Sequence, residues 1–234
     1  PDRTASVALF NLGRDGTTPI AIADGTFIWA IENERGIYVT SLTFPEAGLY
    51  GAEFSTAQGG AAPEKIRVTF DVQASSSLVK VGQKAPSTDN PTLATAGDVA
   101  HISTDPTPDP ALYKSTVAAA LAAGKPFVVA FATPKFCRTA QCGPTLDRLK
   151  PFVSAYPGVT FINVEPYKLK FEDGSLQADL DPSTQDLVPV EATNQWGLTS
   201  EPWVFVVDRQ GIVRGSFGLI FSDAELKAAL DALT

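Results

Sequence analysis

The chain reads as a two-domain protein, an all-β sandwich followed by an α/β domain. Three observations predict this. Residues 1–76 hold short runs of alternating apolar and polar residues separated by turn signals, the pattern of a small antiparallel sandwich. Residues 77–112 read as a linker packed along the protein surface, because Lys84–Pro110 is rich in Pro, Thr and Asp, including Thr104-Asp-Pro-Thr-Pro-Asp-Pro110. Residues 113–234 then bring a wholly apolar run, a cysteine pair and strong helix signals. A length of 234 residues exceeds one average domain, and 44% hydrophobic content permits a sizeable core.

In the first domain the strand candidates are Val7–Phe10, Thr26–Ile31, Gly36–Thr40 and Ile66–Val72, with a turn over Gly13–Gly16. Within the last of these, Ile66, Val68, Phe70 and Val72 are expected to face inward, and Arg67, Thr69 and Asp71 outward. Glu46-Ala-Gly48-Leu-Tyr50-Gly-Ala52 resembles the corner motif of immunoglobulin-like domains, with Ala52 where that motif has its second cysteine. The resemblance implies an architectural Tyr50, its hydroxyl tying a loop back to a strand start.

Leu93, Val99 and Ile102 interrupt the polar composition of the linker, which is why it is expected to lie along the surface. Tyr113–Ala123 reads as an Ala-rich helix stopped by Gly124. Pro126–Phe131 is a continuous apolar run, the mark of a strand covered on both faces. Both cysteines follow, in Phe136-Cys137-Arg-Thr-Ala-Gln-Cys142-Gly-Pro144, with Pro144 suited to a helix start. Residues five apart in one α-helix are displaced about 7.5 Å along its axis, beyond what a disulfide reaches, so a Cys137–Cys142 bond needs a loop. A helix beginning near Pro144 leaves both cysteines before it, where its dipole favours a thiolate, and Lys135 and Arg138 add positive charge. A redox pair and a structural staple are both open at this point.

Val159–Val164 and Trp203–Asp208 read as further strands, Arg209-Gln-Gly211 as a turn, and Ile212–Phe217 as an antiparallel partner. Pro189–Trp196 is a short helix candidate. Ser222-Asp-Ala-Glu225 is a capping box opening a last helix with Leu226, Ala229, Leu230 and Leu233 on one face.

Over residues 115–234 this order resembles the thioredoxin superfamily. The resemblance implies an α/β thioredoxin-like fold in which Cys137 and Cys142 are the catalytic pair, and Glu201-Pro202, with a cis peptide bond, forms a substrate-binding wall facing them. It also implies a protein thiol or disulfide as partner. Four residues separate the cysteines where the family has two, and Thr145 stands where Cys142-Gly-Pro would be followed by a second cysteine. Phe136-Cys137 matches the aromatic-cysteine opening of the family motif, while Cys142 sits at the helix start, where the dipole favours it as the thiolate. The strand Phe127–Phe131 carries none of the buried acid that thioredoxins place there, and Glu201 is expected to raise a nearby thiol's pKa. A slow or specialised thiol-disulfide oxidoreductase fits these departures.

Two other readings stand beside it. One is a non-catalytic binding or structural protein with a stapling disulfide. The other is a copper-handling relative, which would need His101 to join the cysteines. No cofactor beyond the Cys137–Cys142 disulfide and no metal ligand set is assigned. A net charge of -8 argues against nucleic acid as partner, and no apolar run approaches the ~20 residues that span a bilayer. The opening at Pro1 suggests a processed or trimmed chain. The domain pairing, the Pro-Thr joint and the absence of methionine resemble exported or lipid-anchored bacterial proteins. An extracytoplasmic location is therefore expected, with membrane contact only through an N-terminal anchor outside this chain.

Overall fold

A computed structural model describes residues 3–233. The chain divides after Ser76 into two compact units, Pro1–Ser76 and Ser77–Thr234. The first contains strands β1 (Arg3–Asn11), β2 (Ala21–Asp24), β3 (Thr26–Ile31), β4 (Arg35–Val39), β5 (Gly48–Gln58) and β6 (Glu64–Val72). Four of them form an antiparallel sheet in the order β2-β1-β5-β6, while β3 and β4 pair as a separate hairpin. Tyr50 is fully buried, donates its hydroxyl to the Glu46 carbonyl at 2.9 Å, and meets Phe44 edge-on.

The inward-facing assignment of Ile66 and Val68 is overturned: they are 68% and 42% exposed. The period is right, because cross-strand rows place Ile66 beside Phe54 and Val7, and Val68 beside Ala52 and Leu9. Burial is complete at Leu9 and lost at β6, since β6 is the edge strand and the cover over that face stops short of it.

The second unit adds α1 (Leu93–Ala96), α2 (Val117–Ala122), β7 (Phe127–Phe131), α3 (Cys142–Ala155), β8 (Thr160–Val164), β9 (Leu169–Glu172), β10 (Ser175–Ala178), α4 (Glu191–Gln195), β11 (Trp203–Val207), β12 (Val213–Gly218) and α5 (Asp223–Asp231). Its main sheet runs β12-β11-β7-β8, with β7 and β8 parallel and the other pairings antiparallel. Every residue of β7 is buried because both faces are covered. Phe127, Val129 and Phe131 join Val117, Ala120, Trp196 and Phe205 on one side. Val128 and Ala130 join Leu146, Leu149, Leu226 and Leu230 on the other. The connection β7-α3-β8 is the crossover that parallel pairing requires.

The stretch 77–112, read from its prolines as a linker, belongs to this second unit. Val79 and Ala85 enter one core and Leu112 the other, and the Ala85 amide donates to the Gly211 carbonyl. Gly197 is required at its position. It has φ 68°, and a Cβ there would meet the Ser77 carbonyl oxygen at 1.9 Å. The helix expected over 113–123 is split into a single 3-10 turn at Pro110–Tyr113 and α2, which is capped by the Thr116 side chain and followed by Gly124 at φ 61°. The capping box on Ser222 and Glu225 is formed as expected.

These packing assignments separate two apolar positions of opposite cost. Phe205→Ala, which opens a space beside Trp196 at a ring separation of 4.6 Å, is expected to cost about 3–5 kcal/mol. Ile66→Ser is expected to change stability by less than about 0.5 kcal/mol. Urea unfolding followed by tryptophan fluorescence measures both.

Candidate functional site

Cys137 and Cys142 are joined, with Cα atoms 6.0 Å apart. The chain turns back between them at Ala140, whose φ of 59° lies in the left-handed region. Helix α3 begins at Cys142 itself, two residues earlier than Pro144 led one to expect, so only Cys137 precedes the helix. A proline as third helical residue costs nothing, because the first-turn N–H groups have no intrahelical acceptor. The Cys142 amide donates to Cys137 Sγ at 3.2 Å, and Thr139 Oγ1 lies 3.4 Å from the same sulfur. Cys142 is completely buried while Cys137 is half-buried. The helix-terminal N–H therefore serves the more accessible sulfur.

Glu201 approaches this pair from the loop before β11. Its carboxylate and the two sulfurs lie within 4.8 Å of one another. The side chain is only 2% exposed. Its Oε1 accepts from the Arg138 amide at 2.8 Å and its Oε2 from the Tyr167 hydroxyl at 2.6 Å. Burial, with Glu201 adding to it, holds the Tyr167 hydroxyl well above its usual pKa, so it stays a donor. The Glu201–Pro202 peptide bond is cis, and Pro202 is buried. Backbone acceptors on this wall are already engaged: Thr139 donates to the Glu201 carbonyl at 3.0 Å and the Leu219 amide to that of Pro202 at 2.9 Å.

The two cations flanking the cysteines are directed elsewhere. Lys135 donates to the Leu176 carbonyl at 2.6 Å and lies over the Phe136 ring, while Arg138 pairs with Asp186 at 3.4 Å. Leu176 and Asp186 belong to the stretch 168–188, whose strands β9 and β10 form their own two-stranded sheet rather than extending the main one. That stretch thus braces the cysteine loop. His101 bonds through Nδ1 to the Ala96 carbonyl and lies against Phe171 with the two rings tilted by 57°. It is absent from the donors that converge on the sulfurs, so the copper set of two cysteines and His101 is not assembled.

One titratable group escaped the sequence reading. β7 lacks an acid, but Glu165 follows its parallel neighbour β8 and reaches the same end of the sheet. Its Oε1 accepts from the Thr104 amide at 2.6 Å and hydroxyl at 2.8 Å, while Oε2 is buried without a hydrogen-bond partner. Burial pushes the Glu165 carboxyl up to about 7 against the opposing effect of hydrogen bonds from Thr133 and Thr104. Asn163, Tyr113 and Ser103 form a second buried chain of hydrogen bonds close by. Thr104, which accepts from the Lys135 amide, ties Glu165 to the segment entering the cysteine loop. The signal in the sequence was Asn163 and Glu165 bracketing the end of an apolar strand. A cleft of about 390 Å³ lined by Asn163, Glu165, Tyr167 and Leu176 opens beside them.

No protein-family model matches the chain, and no curated protein matches it in sequence. Among the described residues, no helix is long and apolar enough to cross a membrane.

The Glu165 environment sets a pH dependence. A carboxyl that binds its proton more tightly when folded contributes stability below its unfolded pKa of about 4.5 and loses it as pH rises through about 7. The melting temperature is expected to fall between pH 5 and pH 8, by a contribution on the order of 3 kcal/mol. Glu165→Gln should flatten that slope in a calorimetric pH series, and an unchanged slope would exclude Glu165 as its source.

Proposed function

We propose that the second unit is a thioredoxin-like thiol-disulfide exchange domain of an extracytoplasmic protein, with Cys137 as the sulfur that meets the partner and Cys142 as the buried resolving cysteine. The observation that carries this reading is the asymmetry of the pair: one sulfur half-buried and hydrogen-bonded by a helix-terminal amide, the other sealed at the first residue of that helix. The layered sheet around β7, with the crossover through α3, supports the superfamily resemblance. The hydroxyl contact of Tyr50 supports the immunoglobulin-like reading of the first unit.

In exchange, a partner thiolate attacks Cys137 Sγ. The new sulfur-sulfur bond forms as the Cys137–Cys142 bond breaks, and the electron pair passes to Cys142 Sγ at the positive end of α3. A second partner thiolate then attacks the partner's sulfur of the mixed disulfide and releases Cys137. Two electrons have moved from the partner to the pair, and the partner leaves as a disulfide. The reverse sequence reduces a partner disulfide with Cys137 as nucleophile. Glu201 works against thiolate formation by like-sign repulsion, which suits a slow or specialised centre.

A second reading, a stapling disulfide, is favoured by the occupied backbone of the Glu201-Pro202 wall, because a partner peptide would have to displace Thr139 to pair there. The two readings differ in reduction potential. An exchange centre is expected between about -120 and -270 mV, whereas a structural staple lies below about -300 mV.

In the reduced protein, iodoacetamide is expected to label Cys137 well before Cys142, as resolved by peptide mass mapping. Cys137→Ser should abolish insulin reduction, and Glu201→Gln should shift the pH profile of Cys137 alkylation to lower pH. Equal labelling of both sulfurs would overturn the assigned roles.

A further inference from the structure

The carboxylate of Glu201 is buried but faces no cation. Its two hydrogen-bond donors, the Arg138 amide and the Tyr167 hydroxyl, are neutral, and the Arg138 guanidinium pairs with Asp186 instead. Among the described residues, no lysine or arginine lies within ion-pair distance of it. A buried carboxylate without a counter-charge is costly, and the groups it does face are two sulfurs. In the disulfide these sulfurs carry no charge. After reduction they become two thiols, each able to lose a proton, beside an acceptor already in place.

We propose that the reduced form of this site binds one Zn2+ through Cys137 Sγ, Cys142 Sγ and a Glu201 carboxylate oxygen, so that the pair alternates between a disulfide and a metal thiolate. The inference rests on the reading that the disulfide can be reduced. A phosphine supplies two electrons and leaves as its oxide, with water giving the oxygen and the two protons (a dithiol brings its own protons and leaves as a disulfide), and the sulfur-sulfur bond breaks to two thiols. Zn2+ then displaces the two thiol protons to solvent and forms two Zn–S bonds. Zinc takes thiolate sulfur at about 2.3 Å and carboxylate oxygen at about 2.0–2.2 Å, which places donors of one tetrahedral site roughly 3.5–4 Å apart. The three donors already lie within 4.8 Å, so parting of the sulfurs on reduction is the main adjustment required. Three protein ligands leave a fourth position open, the arrangement of a zinc site that still admits a small ligand. Tyr167 and the Arg138 amide, each bonded to one carboxylate oxygen, hold the third ligand in orientation, as outer-shell partners do. The soft sulfur donors make a borderline divalent cation preferred over the hard, oxygen-seeking Ca2+ or Mg2+.

Cobalt(II) is the probe, because its thiolate complexes absorb in the near ultraviolet and visible. Full-length protein reduced with a phosphine and titrated anaerobically with Co2+ is expected to develop a thiolate-to-metal charge-transfer band. It should saturate at one Co2+ per chain and be bleached by Zn2+; the oxidised protein should show none. Tyr167→Phe is expected to weaken binding about tenfold, within the range known for outer-shell partners, and Glu201→Gln by at least as much, while Cys137→Ser removes the band. No band in reduced wild-type protein would overturn the proposal, and so would unchanged affinity in both Glu201→Gln and Tyr167→Phe. Insulin turnover in metal-free buffer reports separately on exchange. Turnover without the band removes the metal site alone, and the band without turnover removes the exchange reading alone.

Discussion

Strand β7 is covered on both faces and paired on both edges, and the rest of the second unit is arranged by that double burial. Its alternate side chains feed two separate cores, so one five-residue strand contributes to the packing of both helix layers, together with residues of β8 and β11. Because its parallel partner β8 lies alongside, the chain must cross over through α3, and the start of that helix falls next to the carboxyl end of β7. The cysteine pair is therefore placed by hydrocarbon packing. The polar groups that surround it, Glu165 with Thr104 and Glu201 with Tyr167, gather at the same end because the strands stop there and leave loop backbone to be satisfied.

Two acids near the cysteine loop live in different electrostatic situations. Glu165 is enclosed with one oxygen lacking any hydrogen-bond partner, so burial dominates and its proton is held to near neutrality. Glu201 has both oxygens bonded and faces sulfur. One carboxyl is thus held protonated toward neutral pH by burial, while the other lies within 4.8 Å of both sulfurs. The stretch 168–188 completes the arrangement by taking Lys135 and Arg138 as partners, which draws their charge off the sulfurs and leaves the α3 amide as the donor facing Cys137.

Periodicity and punctuation read most of the elements. The apolar run before the cysteines, the alternation of 159–164 and 203–208, and the Ser222–Glu225 box are local signals, set within a few residues by side-chain spacing and capping chemistry. The same local logic failed in defined places. It began α3 at Pro144 instead of Cys142, since proline is tolerated anywhere in a first turn. It turned Ile66 and Val68 inward on a strand whose register was correct, because alternation reports which residues share a face and not whether anything covers it. It also took 77–112 for a linker, because prolines announce extended chain equally well on a surface and in a core.

What the amino-acid order determined by itself was most of the strands and helices, though not β2, β5, β9, β10 or α1, and the location of both sulfurs between an apolar strand and a helix; the bend at Glu201-Pro202 was expected only from the family resemblance. Tertiary structure alone decided which sulfur is buried, that Glu201 turns its carboxylate onto both, and that Glu165 loses its solvent. Those are relations between residues some sixty positions apart. They arise only when the sheet stacks β7, β8 and β11 side by side, and no spacing along a single chain encodes the distance between groups that such stacking brings together.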